Sequence, residues 1–367
     1  MNPACKNFRN QVMNQKNKLT AILMLIIGLA GASFSPLYGQ SPAREDGSGQ
    51  AYRLVFYNLE NFYDTLDAPF KGDDAFLPAG PRRWNAYKYR RKLNGLFKIL
   101  IGTGHWRPPA IIGVCEVENR RVLDELTGKT PLAKYPYRVI HKNSPDPRGI
   151  DVAAIYHERQ FKVISSRYIK TKWNDQALAT REILYIKGHL AGKAPLHLFF
   201  NHWPSKWQGA AKTQPKRKLA ARVVSHHVDS IFQQQSGANI IVAGDFNDPP
   251  QAACLTDVLG ADQPAPPHSE NALYNLCHHW KNEPGGTQKY RSHWQILDQF
   301  IVSGAMLNKS RGLYTCPDKA RPFAPSYLLE KDTRYTGMKP FRTYTGYRYT
   351  GGFSDHLPVI LEVDYIR

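Results

Sequence analysis

In six places along this chain a run of apolar residues gives way to an acid, an amide or an imidazole, or encloses one. "VFYN" ends in Asn58, "GVCE" in Glu116, and "LFFNH" in Asn201 and His202. "VAGDFN" delivers Asp245 and Asn247, "GGFSDH" delivers Asp355 and His356, and "ILDQFIV" holds Asp298 between apolar neighbours. Taken singly, each has a plain explanation. An amide or acid at a strand end caps a helix or closes an Asx turn, a lone histidine sits hydrogen-bonded at the surface, and a buried aspartate pairs with a nearby arginine. Six together are hard to assign to caps and turns. Hydrolysis of a phosphate ester is the chemistry that needs such a set. A hard divalent cation takes carboxylate, amide and water oxygens and acts as a Lewis acid on phosphoryl oxygens. A carboxylate orients the attacking water, worth roughly 10²–10⁴ in rate, and each preorganised donor to the developing charge adds about 3–4 kcal/mol. Zinc favours more histidine and cysteine, so the oxygen bias points to Mg²⁺, with Mn²⁺ and Ca²⁺ as alternatives.

The elements that must position these residues are legible as periodic patterns. Tyr52 to Tyr57 alternates as a strand, and "AIIGVCEVEN", "DVAAIY", "EILYIKGHL", "LHLFFNHW", "NIIVAGDFN", "QILDQFIVS" and "PVILEVDYI" read as further strands. Leu93, Leu96, Phe97, Leu100 and Ile101 fall at helical spacing, with Arg90, Arg91, Lys92 and Lys98 assigned to the wet side. A second helix is predicted from Gln214 to Phe232, with Leu219, Val223, His227 and Ile231 on one stripe. Strands dominate and follow no regular βαβ rhythm. Two sheets packed face to face with helices outside therefore fit better than a doubly wound sheet.

With 42% hydrophobic residues the 367-residue chain can bury a sizeable core. Residues 1–40 stand apart: Lys6, Arg9, Lys16 and Lys18 precede an uncharged apolar run from Leu19 to Leu29, with Ala30-Gly31-Ala32 or the neighbourhood of Gly39-Gln40 as cleavage sites. That is the pattern of a secretory signal peptide; the run is shorter than the ~20 residues of a membrane span. A polar linker (41–51) leads into the domain at 52–367. Processing lowers the formal charge from +19 to +15, because the leader holds four Lys/Arg and no Asp/Glu. Such an excess favours polyanions. Cys115 reads as a buried free thiol, and export permits a Cys254–Cys277 or a Cys277–Cys316 bridge. "LCHHW" with His293 is a poor zinc site, since adjacent histidines do not readily serve one tetrahedral ion.

The order "YNLENF", "GVCEVEN", "RGIDVAAIY", "NHWPSK", "GDFND", "LDQFIV" and "SDHLPV" resembles the endonuclease/exonuclease/phosphatase superfamily over about residues 52–366, in the manner of secreted nuclease-like members with an N-H-W-P-S motif. Each motif is weak alone; seven in order are specific. The resemblance implies a four-layer α/β/β/α sandwich of two mostly antiparallel sheets, with the site at one edge of both. Carried over by motif, Asn58 and Glu116 hold the metal with Asp355 beside them. Asp245 orients and deprotonates the water, Asn247 positions phosphate, His356 contacts the scissile phosphate, and Asp298 fixes that imidazole. His202 resembles the second histidine of pancreatic deoxyribonuclease-like and sphingomyelinase-like members. Asn201, Arg148 and Lys206 are implied as phosphate contacts. Abasic-site repair members generally lack a histidine at the place of His202. The inositol-phosphate branch has an arginine where this chain has Gln299.

Three substrate readings follow. A secreted nuclease is favoured by the charge and by the basic, aromatic loop Lys339 to Tyr349, since Lys and Arg neutralise phosphates while aromatic rings stack on bases. A phosphodiesterase or phosphatase of lipids or small phosphoesters is the alternative, although no apolar membrane-docking hairpin stands out. A non-catalytic polyanion-binding protein comes last, because every expected catalytic position is filled. The run Lys212 to Lys218 reads as a phosphate-contacting stretch or, more simply, as a solvated helix start.

Overall fold

Period-two burial in the central strands decides the architecture. The computed structural model describes residues 51–367 except 70, 105–106, 174–175, 207–208, 281–283, 311, 367 and the side chain of 279. The expected signal peptide, and the linker up to its last residue, lie outside the described residues. The chain forms β1 (Ala51–Phe62), α1 (Ala86–Thr103), β2 (Ile111–Val117), α2 (Arg120–Gly128), β3 (Tyr137–Ile140), β4 (Asp151–His157), β5 (Phe161–Ile169), β6 (Ile183–Leu190) and β7 (Ala194–His202). It continues through α3 (Ala210–Gln234), β8 (Ile240–Asp245), β9 (Ala261–Asp262), β10 (Leu273–Asn275), β11 (Asp298–Ser303), β12 (Gly312–Tyr314), β13 (Ala320–Pro322) and β14 (Val359–Ile366). Short hairpins fill the long loops before β11 and β14.

One sheet runs β12-β14-β1-β2-β4-β3, with β13 also on β14; the other runs β9-β10-β11-β8-β7-β6-β5. The pairs β1–β2, β7–β8 and β9–β10 are parallel and the rest antiparallel. Along β1, Leu54 and Phe56 join Phe200, Ile241, Ala243 and Phe300 between the sheets. The alternate residues Val55 and Tyr57 face Leu93, Leu96 and Leu100 of α1. On the far side Ala220, Ala221, Val224 and Val228 of α3 cover Phe199 and Val242. The result is the expected α/β/β/α sandwich. Gly113 lets the sheets approach: a Cβ there would lie 2.3 Å from the Phe200 ring.

Two helix readings need correction. Lys92 is not on the wet side of α1: it is buried, donating to the Glu60 carbonyl and to Thr343 Oγ1 (2.8 Å). The buried stripe of α3 is Arg217, Ala220, Ala221, Val224 and Val228, while Val223 and Ile231 pack at its margin. Small alanines let the helix sit close to the sheet, and Arg217 turns inward because an acid awaits it. Cys115, Cys254, Cys277 and Cys316 are all free, so neither candidate bridge forms. No described helix is long and apolar enough to cross a membrane.

The topology gathers the polar residues at one rim. The parallel pairs β1–β2 and β7–β8 end there with Asn58, Glu116, His202 and Asp245. The antiparallel β11 and β14 start there, bringing Asp298 and the approach to β14 that carries His356.

His197 on β7 supplies a pH handle remote from that rim. Burial, then the Lys187 charge, holds its pKa down at about 4, and Nδ1 shares a 2.7 Å hydrogen bond with Tyr185 OH. Above pH 6.5 it is neutral in both folded and unfolded chains and costs nothing. Between 6.5 and about 4 the unfolded chain takes up a proton that the folded one refuses, so stability falls as pH falls. Urea unfolding of the wild type and His197→Gln across this window is expected to show a weaker pH dependence in the variant.

Candidate active site

The site begins with strained backbone. Glu60, Asn61, Glu116 and Asn247 all have positive φ, between 46° and 59°, a region that non-glycine residues rarely occupy. The register of β1 on β2 shifts between Asn58 and Phe62, and that of β2 on β4 between Cys115 and Val117. These bulges turn Glu116 and the Glu60–Asn61 backbone towards the rim. Asn61 N–H donates to Glu116 Oε2 (2.8 Å), and Glu60 N–H to Asn58 Oδ1 (2.9 Å). Backbone held this way stores strain that the surrounding bonds must over-determine.

Asp245 is the hub. Its Oδ1 accepts from Asn247 N–H (2.9 Å) and its Oδ2 from Asn58 Nδ2 (3.1 Å). His202 Nε2 lies 3.7 Å and His356 Nε2 4.0 Å from the same Oδ2. His356 Nδ1 is 2.7 Å from Asp298 Oδ2, and its backbone N–H donates to Ser354 Oγ (3.0 Å). All four ionisable side chains are buried. Burial lifts the Asp245 carboxyl to about 7, aided by Asp298 and opposed by His356. Burial disfavours charge on His356, yet Asp298 and Asp245 outweigh it and hold the imidazole well above its ordinary pKa. His202 moves the other way: burial first, then Arg181 and Arg148, keep it neutral. The pKa values of two histidines beside one carboxylate oxygen are thus pushed in opposite directions.

Around this centre the cations are tied to acids. Arg342 donates Nε (3.1 Å) and Nη2 (3.0 Å) to Glu60 Oε1, and Nη2 also reaches Asp355 Oδ2 (3.1 Å). Arg181 bridges Asp146 Oδ2 (2.9 Å) and the Trp203 carbonyl (2.8 Å). Fully buried Arg217 pairs with Asp248 and also donates to Thr213 Oγ1 (2.8 Å) and the Pro204 carbonyl (3.2 Å). It therefore clamps α3, the loop after His202 and the loop after Asp245 together. Residue type and spacing do not point to Glu60, Lys92 or Arg181. Arg342 and Arg217 lie in the basic stretches Lys339–Tyr349 and Lys212–Lys218, but the acids that hold them are remote: the Asp248 partner of Arg217 is 31 residues away.

Asn58, Glu116, His202, Asp245, Asn247, Asp298, Asp355 and His356 meet at the rim. Asn247 has one amide hydrogen committed to the Trp203 carbonyl (3.0 Å). Arg148 is half exposed, 3.7 Å from Asp146, and close enough to influence His202. Lys206 is held by Asp248 at 2.7 Å. Asn201 departs from expectation. It is fully buried, with Nδ2 on the Phe199 and Ala243 carbonyls and Oδ1 accepting from Trp203 Nε1, so it braces the strand end instead of facing a phosphate. The loop from Lys339 to Tyr349 also differs from an open stacking platform. Tyr344 is buried beside Phe76 and Trp84, Lys339 faces Glu330 and Asp332, and Tyr347 is the exposed ring.

The donors suit a hard cation. Glu116 Oε1 makes no hydrogen bond among the described residues and lies 3.9 Å from His202 Nε2, while Asp355 is partly open. Buried Asp298 Oδ1 also has no hydrogen-bond partner among the described residues. Asp245, Asp298 and His356 form one group of potential ligand atoms within 4.8 Å of one another, and Cys115, His202 and Asp245 form a second.

A two-sheet sandwich carrying buried carboxylates and imidazoles at one rim is the frame of a phosphoric ester hydrolase. The sequence matches the Endonuclease/Exonuclease/phosphatase family over residues 53–365, and the chain belongs to that family. Enzymes of the family generally depend on a divalent metal. No protein of curated function matches the sequence. Among solved structures, the fold is similar to a humanized D. rerio TDP2 (TM-score 0.53, 14% identity, covering 85% of this chain and 98% of that one). It is equally similar to the Bacteroides thetaiotaomicron mannosyl-6-phosphatase (0.53, 14%, 85% and 99%) and close to another family member from that organism (0.51, 14%, 86% and 98%). These likenesses establish the fold.

The Arg217 clamp gives a direct test. Arg217→Met leaves Asp248 with Lys206 as its remaining cation and the Cys254 thiol as a weak donor, and is expected to cost about 3 kcal/mol, as breaking a buried pair does, read by urea unfolding. Unchanged stability would mean that the clamp holds nothing.

Proposed function

We propose that this protein is a secreted, Mg²⁺-dependent endonuclease, with Mn²⁺ or Ca²⁺ as substitute ions. The observation that carries the reading is the pair of buried imidazoles that bring Nε2 to 3.7 Å and 4.0 Å from Asp245 Oδ2, beside the open carboxylate oxygen of Glu116. A second observation favours a phosphodiester over a phosphomonoester. Arg342, Lys206 and Arg181 are all committed to carboxylates, and a centre with so little free positive charge suits a singly charged phosphate. The +15 charge expected after processing favours nucleic acid among diesters.

In this reading Asp245, oriented by Asn58 and the Asn247 N–H, takes the proton of the attacking water as its oxygen bonds to phosphorus. The bond from phosphorus to the leaving sugar oxygen breaks, and that oxygen takes a proton from solvent. His356, fixed through Nδ1 by Asp298, presents Nε2–H to a non-bridging oxygen. Neutral His202 offers its Nε2 on the same side, and Asn247 gives its remaining amide hydrogen. A divalent cation on Glu116, Asn58 and Asp355 supplies Lewis-acid withdrawal of charge when bound. Arg148, half exposed and 3.7 Å from Asp146, contacts the entering strand near His202.

Purified mature protein incubated with supercoiled plasmid is expected to nick it with Mg²⁺ and not with EDTA. Asp245→Asn and Asp298→Asn are expected to lose roughly 10²–10⁴ in rate without loss of fold by circular dichroism. Plasmid left intact under every metal condition would sink the DNA reading. Single-stranded RNA, sphingomyelin and phosphomonoesters on the same preparation then separate RNA, lipid and phosphatase activity from a polyanion-binding role. Mass spectrometry of exported protein tests secretion: a mature start near Ala32 or Gln40 is expected, and a retained leader would contradict it.

A further inference from the structure

Beside the catalytic centre, the loop after β1 and the hairpin before β14 enclose a pocket of about 160 Å³ lined by Glu60, Asn61, Phe76, Arg82, Arg342 and Tyr344. That is roughly the liquid volume of five waters, on the scale of one phosphate group. Its charges do not balance. Both oxygens of Glu60 are taken, Oε1 by Arg342 and Oε2 by Thr343 N–H (2.7 Å). Arg342, shared between Glu60 and Asp355, and the Lys92 ammonium behind it together answer those two acids, and Arg342 Nη1 makes no hydrogen bond among the described residues.

Arg82 has no carboxylate partner among the described residues. Its guanidinium lies 4.9 Å from the Phe76 ring, 5.0 Å from Tyr344 and 5.2 Å from Tyr347. One N–H reaches the Gly346 carbonyl (2.6 Å), while Nε is shut off from solvent without an acceptor. Aromatic faces hold a cation, yet a shielded guanidinium donor left unpaired is costly, and an anion would offset that cost. The pocket is also wired to the centre. Arg342 bridges Glu60 and Asp355, and Asn61 N–H holds Glu116. An anion here would sit one side chain from the residues that face the scissile phosphate.

We propose that this pocket is a second phosphate subsite, in which Arg82, with the unbonded Nη1 of Arg342 beside it, receives the phosphate flanking the scissile one along a nucleic acid strand. Tyr347, 66% exposed and stacked on Arg82, offers a ring to the adjoining base. The proposal rests on the nuclease reading above and deepens it: cleavage then favours substrates with a neighbouring phosphate over isolated diesters.

The test compares kcat/KM for a dinucleoside monophosphate with the same compound carrying an extra phosphate at its 5′ or its 3′ end. Wild-type protein is expected to prefer one phosphorylated form about tenfold, a preference that collapses to near unity in Arg82→Gln and survives in part in Arg82→Lys, which keeps the charge. A ratio of one in the wild type, or the same ratio in Arg82→Gln, overturns the subsite. If the wild type cleaves no diester, the nuclease reading fails separately, and calorimetric titration with inorganic phosphate in EDTA decides the pocket alone. Binding lost in Arg82→Gln then supports an anion site; absent binding, or equal binding in the variant, removes it.

Discussion

Two aspartates face each other across adjacent antiparallel strands, and the rim is built around making that tolerable. Asp245 pairs in register with Asp298, and both are buried. Like charges directly opposite one another destabilise a sheet, and burial removes the water that would screen them. His356 resolves the conflict by placing its imidazole with Nδ1 on Asp298 and Nε2 towards Asp245. The charge that is expensive for a buried histidine becomes the cheaper state once two carboxylates surround it. Since β14 belongs to the other sheet, this ion cluster also ties the sheets together at the rim. Ser354 fixes the connection, donating its hydroxyl to the Asn58 carbonyl (2.7 Å) and accepting the His356 N–H.

The strained bulges on β1 and β2 follow the same logic one layer out. Glu60 cannot keep a buried carboxylate without donors, so Arg342, Thr343 N–H and the ammonium of Lys92 on the Glu60 carbonyl converge on it. Burial pulls the Lys92 pKa down to about 8 despite the Glu60 charge, a sign of how little water reaches this layer. The loop before β14 is docked by these bonds, and with it Asp355. On the opposite flank Arg217 does the same for the loops after His202 and Asp245. Two buried cations, Lys92 from α1 and Arg217 from α3, thus hold the two walls of the site.

Much of this was legible. The apolar runs gave the central strands, seven motifs in order gave the family, and the residues ending the strands do meet at one rim. Where the fold departs from the sequence pattern, the cause is the same each time. By residue type alone Lys92 and Arg217 belong in water and Asn201 on a phosphate, yet all three are buried. Each is buried by partners remote in sequence or across a sheet: Thr343 for Lys92, Asp248 for Arg217, and the Ala243 carbonyl for Asn201.

The sequence by itself determined what depends on neighbours along the chain. Alternation marks a strand because side chains point to opposite faces every second residue, and an abrupt polar ending marks a site because buried charge is costly without a purpose. Only the tertiary structure decided which charges are free and which are spent. Arg342 meets Glu60 across 282 residues of sequence, and no periodicity encodes such a meeting. The two histidines differ for the same reason: His202 and His356 are chemically alike, and the packing around them, not their neighbours in sequence, pushes the pKa of one down and of the other up.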